Sequence, residues 1–130
     1  QQQTTTINIT IQHHIEGLAT TFGNMKEDML DEIEDEKEQK KFKRELEKVD
    51  RALAQAKQLQ NKEEAKSSQA LDRVRRFIDK LDNTNTLAGK AIKSVEDGVG
   101  YAQDLAKHYN NIAEWCGLPV VPKFLLKKKN

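Results

Sequence analysis

The fold of this chain is decided by residues 86–116, TLAGKAIKSVEDGVGYAQDLAKHYNNIAEWC. This segment lacks proline, and its apolar side chains recur at steps of three and four residues, as on one side of an α-helix. The stripe consists of Ala88, Ala91, Ile92, Val95, Val99, Ala102, Leu105, Ala106, Tyr109, Ile112, Ala113 and Cys116. One continuous helix over Thr86 to Cys116 would be about 45 Å long. Because such a stripe must be covered by other helices along its whole length, the segment predicts helix-on-helix packing.

Other parts of the chain predict helices of the same kind. Apolar residues at helical spacing occupy three further segments, residues 15–33, 42–59 and 71–81. Asn61 followed by Glu64 is typical of a helix start, and the polar run 83–86 is typical of a turn between helices. Gly117, with Pro119 after it, marks the end of the last helix. The sequence therefore predicts an all-α fold, an antiparallel bundle of three or four long helices over residues 13–117.

The connection between the first two helical segments has two interpretations. Ile33 and Phe42 are nine residues apart, which places them on opposite sides of one straight helix. Either the chain reverses within residues 34–41 to form a helical hairpin, or one long helix changes the partner that covers it. The intervening residues contain neither glycine nor proline, which favours the continuous helix locally, whereas compactness favours the turn.

The N-terminal segment predicts an extended arm over residues 1–12. Ile7, Ile9 and Ile11 alternate with polar residues, the period of a β-strand. An isolated strand is unstable in water, so we expect the arm to pair with another subunit, to pair with residues 119–126, or to extend freely. In the alternative interpretation, Ile11 begins the first helix.

The C-terminal segment, residues 118–130, is apolar at first and basic afterwards. Its candidate interaction residues, taken with the end of the last helix, are Trp115, Leu118, Val120, Val121, Phe124, Leu125 and Leu126. These are too many apolar side chains for a free tail. They either fold back over the bundle end, dock into a neighbouring subunit, or contact a membrane with the help of the lysines that follow.

The ending Tyr109-Asn110, Trp115 and Gly117-Leu118-Pro119 resembles that of bacterial helical accessory domains of uncharacterised function in conflict and NTPase-associated proteins. The resemblance covers the last quarter of the chain. It implies an accessory or signal-coupling role and carries no catalytic residue.

Composition limits the function classes. The formal charge is only +1, so no overall field attracts nucleic acid, and the sequence predicts no specific nucleic-acid partner. One cysteine, Cys116, excludes an internal disulfide and agrees with a cytoplasmic location. No apolar run approaches the roughly 20 residues of a membrane-spanning helix. The chain does not begin with methionine, so either it has been processed or it is a segment of something longer, and the polar opening 1–6 is typical of the end of a low-complexity linker. The second case implies a larger parent or partner protein.

Candidate catalytic residues are few. Asp104, His108 and Cys116 occupy one helix over three turns, a spread that cannot bring a nucleophile and its base together. His13 and His14 are adjacent and point in different directions, which makes a poor metal pair. The basic stretch 72–76 lacks aromatic residues for base stacking and is interpreted as a solvated face. We expect no catalytic residue, cofactor or metal.

Charge along the chain is arranged in blocks. An acidic block spans residues 27–38, and a basic block spans residues 40–51. These blocks could set the register of a self-assembled stack, or the acidic block could bind the basic tail of a neighbouring copy, with Lys123, Lys127, Lys128 and Lys129. Alternatively, they are a solvated face with pairs such as Glu36 with Lys40. The sequence therefore predicts a non-enzymatic oligomerisation or signal-coupling module that self-assembles as a homo-oligomer through its arm and its helix faces. A filament or a ring is one form that such an assembly could take. The alternative is a membrane-active helical-bundle effector that exposes an amphipathic segment.

Overall fold

The computed structural model describes residues 6–122, and the all-α prediction is confirmed for them. These residues form six helices and no strand: α1 (Ile9–Asp31), α2 (Glu36–Ala56), α3 (Lys62–Lys66), α4 (Gln69–Leu81), α5 (Leu87–Ser94) and α6 (Gly98–Cys116). No helix of this part of the chain is long and apolar enough to cross a membrane.

The first helix begins earlier than the sequence predicts. Extended backbone was expected through residue 12, but α1 starts at Ile9 because Asn8 caps it, its side-chain oxygen accepting the Ile11 N–H at 2.9 Å. Before the cap, Thr6 forms one isolated antiparallel bridge with Asn61. The prediction of an extended arm or strand is therefore wrong over residues 9–12, since a local side-chain cap satisfies the backbone that strand pairing would have satisfied. Residues 1–5 of the predicted arm lie outside the described residues.

The chain reverses between α1 and α2, as in the hairpin interpretation. Asp35 caps α2 by accepting the Glu38 N–H at 2.9 Å, and Gln39 donates its side-chain amide to the Leu30 carbonyl at 2.9 Å. The turn lets Ile33 and Phe42, which would lie on opposite sides of one helix, both be buried in the same core.

The predicted third helix is divided into α3 and α4. Asn61 caps α3 and accepts the Glu64 N–H at 2.8 Å, while the Glu64 carboxylate accepts the Gln60 N–H at 2.8 Å. Ser67 ends this short helix, and Ser68 caps α4 in the same manner. The predicted turn at residues 83–86 follows α4, with Thr86 capping α5.

The predicted continuous helix over Thr86 to Cys116 is interrupted, and this prediction is wrong. Val95 adopts extended backbone after α5, and α6 begins at Gly98. A Cβ at Gly98 would lie 1.8 Å from the Ile92 carbonyl oxygen, so the corner closes only because glycine has no side chain. The α6 helix then ends at Gly117, whose φ of 79° is the left-handed conformation expected of it.

One core joins all six helices. α1 packs most extensively along α6, α2 packs against α1 and α4, and α4 also contacts α6. α3 and α5 cover the remaining sides of α6. The largest fully buried side chains come from every long helix and include Phe22, Phe42, Leu71, Leu105 and Tyr109. The stripes read from the sequence therefore face inward, even where the helices carrying them are broken.

Candidate functional site

Two of the three predicted interaction residues of the N-terminal arm pack into the core of this chain. Ile7 and Ile11 are buried, and the Ile7 N–H donates to the Gln60 carbonyl at 3.0 Å. Ile9 lies on the opposite side of the first helical turn and is 82% exposed. Of the three isoleucines, Ile9 alone offers a partner an apolar side chain.

The segment after α6 folds back onto that helix. The Asn110 side chain donates to the Val121 carbonyl at 3.1 Å and accepts the Val121 N–H at 2.8 Å, and Val121 is buried. Trp115 and Leu118 are partly buried against the core, whereas Val120 is 49% exposed. Three predicted interaction residues lie outside the described residues: Phe124, Leu125 and Leu126.

The three candidate catalytic residues of α6 have separate environments. Cys116 is buried, burial raises the pKa of its thiol, and its Sγ lies 3.8 Å from the Ala113 carbonyl oxygen. His108 contacts His14 on α1, and Asp104 is exposed. Among residues 6–122, no three His, Cys, Asp or Glu side chains are placed to hold a metal ion.

A pair of histidines joins α1 to α6. The Nδ1 atoms of His14 and His108 are 3.0 Å apart, and their ring centroids are 5.2 Å apart. The rings therefore point their nitrogens at each other, as in a hydrogen bond in which one imidazole donates and a neutral imidazole accepts. Gly17 makes room for the pair, since a Cβ there would lie 2.6 Å from the His108 ring.

The surroundings of this pair favour neutral imidazoles. Burial is the main cause that lowers the pKa of both His14 and His108, and the nearby His13 and Lys107 charges lower both further. Asp104 acts in the opposite direction on His108. Burial therefore disfavours protonation of either ring in this contact between the two most extensively packed helices.

The most distinctive surface is a basic groove between α2 and α4. It consists of two adjoining hollows that share Lys48 and Arg73, and the larger has a volume of about 460 Å³. Seven exposed cationic side chains line this groove: Lys41, Arg44, Lys48, Arg51, Arg73, Arg76 and Lys80. Buried Val49 and Phe77 also line the larger hollow, so its cations lie next to apolar side chains.

Few carboxylates neutralise the basic groove. Glu45 accepts from Lys80 at 2.7 Å, and Asp72 lies 3.1 Å from Arg76. Asp72 is shared between Arg76 and Arg75, because it also accepts a hydrogen bond from Arg75. That hydrogen bond is the main cause that lowers the pKa of the Asp72 carboxyl. Within residues 6–122, the other five groove cations have no carboxylate within 4.0 Å: Lys41, Arg44, Lys48, Arg51 and Arg73.

Carboxylates concentrate where α1, the α1–α2 turn and the α5–α6 corner meet. Five of these carboxylates line one hollow that has no cationic side chain in its lining. Four more lie in the α1–α2 connection and in the first helical turn of α2. We call this set the acidic end: Asp28, Asp31, Glu32, Glu34, Asp35, Glu36, Glu38, Glu96 and Asp97. All nine are exposed. The near-neutral chain therefore has two surfaces of opposite charge.

Sequence reasoning missed the groove because it treated the two basic segments separately. The cations of α2 recur at steps of three and four residues from Lys41 to Arg51, and those of α4 do so from Arg73 to Lys80. Each row could have been recognised as one helical face. That the two rows face each other follows only from the packing of α2 on α4.

Comparison with known proteins adds no relative. No family model, curated protein or solved structure matches this chain.

Proposed function

We propose that this chain is a non-enzymatic interaction module, of the oligomerisation or signal-coupling kind, and that the basic groove is its docking surface for an acidic protein surface. The observation that carries the proposal is the set of seven exposed cations that line one groove between α2 and α4, five of them without a carboxylate within 4.0 Å in the described chain. The resemblance of the C-terminal quarter implies the same class of role.

The groove is suited to binding rather than to chemistry. Its cations are exposed long side chains on α2 and α4, and an incoming carboxylate exchanges water for a charge-assisted hydrogen bond. Such complementarity mainly raises association rates and selects partners. Because the contacts are exposed, we expect affinity to fall as salt is added.

The non-enzymatic part of the proposal is supported by the geometry of α6. The Cys116 thiol is buried and its raised pKa disfavours the thiolate, while His108 is engaged with His14. We further propose a cytoplasmic location, in which this cysteine stays reduced.

Charge reversal in the groove tests the function. We expect Arg44→Glu with Arg73→Glu to weaken binding of fluorescent poly-L-glutamate by about tenfold or more, measured by anisotropy at low ionic strength. Lys90→Glu with Lys93→Glu is the matched control, because it makes the same change of net charge at exposed positions of α5. That control should bind like the unmodified protein.

Two outcomes would contradict the proposal. Equal losses of affinity in both double variants would mean that net charge alone drives binding. If the unmodified protein did not bind poly-L-glutamate, the groove would not be a docking surface for acidic chains. The membrane-active alternative has its own assay: release of dye from anionic vesicles by the unmodified chain, without poly-L-glutamate binding, would favour it.

A further inference from the structure

We infer that the acidic surface bound in the basic groove is the acidic end of a second copy of this chain. This inference rests on the proposed function and names its partner. The same chain carries both complementary surfaces, nine exposed carboxylates at one end and seven exposed cations along another face. Charge complementarity of this kind fixes which surfaces meet.

The charges do not neutralise each other within one copy. Of the acidic-end carboxylates, Glu36 alone lies within 4.0 Å of a cation in the described chain, and that cation is Lys40, outside the groove. Within residues 6–122, the groove cations have Glu45 and Asp72 as their only carboxylate partners, and these two residues belong to α2 and α4 themselves. Contact between copies supplies the missing counter-charges to both surfaces at once.

The acidic end includes the reversal of the chain from α1 to α2. Glu34, Asp35, Glu36 and Glu38 lie at this reversal and are exposed, whereas the cations line a hollow. Because the contact joins two different surfaces, a copy that donates its acidic end still has a free groove. Assembly of this type continues into rings or filaments unless a reciprocal pair closes it.

Charge-swapped variants test this contact between copies. One variant reverses the groove with Arg44→Glu and Arg73→Glu, and the other reverses the acidic end with Asp31→Lys and Glu96→Lys. At low ionic strength, we expect light scattering to report assembly of the unmodified chain and the 14.9 kDa monomer for each variant alone. An equimolar mixture should regain assembly, because attraction between opposite surfaces is restored.

Crosslinking provides a second measurement that needs no variant. A carbodiimide joins carboxylates to lysines in contact, and mixing isotope-labelled with unlabelled protein identifies links between copies. We expect peptides containing residues 28–38 to be linked to peptides containing Lys41, Lys48 or Lys80. About 1 M salt should abolish these links, since the screening length is then about 3 Å.

Failure of this inference is separable from failure of the proposed function. A monomeric unmodified chain at low ionic strength, or a mixture of variants that stays monomeric, would overturn the contact between copies. If poly-L-glutamate still bound in the groove, the docking surface would stand with a different protein as its partner. Binding of duplex DNA in preference to poly-L-glutamate would overturn both.

Discussion

Two glycines of α6, Gly98 and Gly100, should respond in opposite directions to replacement by alanine. At Gly98 the added Cβ would lie 1.8 Å from the Ile92 carbonyl oxygen, so backbone must move at the corner between α5 and α6. At Gly100 the added Cβ meets nothing within 4 Å. The two substitutions are chemically identical and two residues apart, which makes each the control for the other.

The expected magnitudes follow from these surroundings. Overpacking of a well-packed site costs about 1–3 kcal/mol, and Gly98→Ala should fall at the upper end because the obstructing atom belongs to the backbone. Gly100→Ala should stabilise the protein by about 0.5–1 kcal/mol, since alanine loses less conformational entropy than glycine in a helix. The free energies of unfolding of the two variants should thus differ by about 2–4 kcal/mol.

Urea unfolding followed by helical circular dichroism measures this difference. The midpoint should fall for Gly98→Ala and rise for Gly100→Ala, with unchanged slopes. If Thr86 to Cys116 were one continuous helix, both glycines would be ordinary interior positions and both alanines would stabilise. Stabilisation of similar size in both variants would therefore refute the interrupted geometry.

Two further predictions concern α1 and α6. Burial lowers the pKa of His14 and His108 below the usual 6.5, so the unfolded chain takes up protons first as the pH falls. Their contribution to stability is therefore complete above pH 6.5 and is lost as the pH falls below it. Urea unfolding at a series of pH values should show this fall in the free energy of unfolding, and an equally steep fall in His14→Gln would contradict the prediction. Leu105→Ala in the core should lower the free energy of unfolding by about 2–5 kcal/mol, and exposed Lys107→Ala should lower it by no more than about 0.5 kcal/mol. Equal shifts of the melting temperature in the two variants would show that the buried face of α6 is wrongly assigned.

Most of the core could be predicted from the sequence. Leu105, Ile112 and Phe42 were assigned to buried stripes from spacing alone, and all three are buried. Helix boundaries that a capping residue marks could also be predicted. Examples are the start of α3 at Asn61 and the end of α6 at Gly117. These features depend on residues within a few positions of one another, so periodicity and capping chemistry suffice to find them.

Helix continuity was less accessible to the sequence. The apolar stripe continues through Val95 without a proline, yet α5 and α6 separate there because close approach of Gly98 to the Ile92 carbonyl permits a corner. At the other end, Ile9 is exposed on a helix although its alternation with Ile7 and Ile11 is typical of a strand. Each pattern is compatible with two backbone paths. Tertiary packing decided the path at the α5–α6 corner, and the local Asn8 cap decided it at Ile9.

The sequence by itself determined that the chain is all-α, which side chains form its core, and that its charges occur in blocks. Only the tertiary structure decided which distant polar groups meet: His14 with His108, and the basic row of α2 with that of α4. The physical reason is that the buried side of each helix follows from the spacing of apolar residues within that helix, which is a local property of the sequence. Meetings between surface residues depend on which helices become neighbours, and that is a property of the whole packed chain.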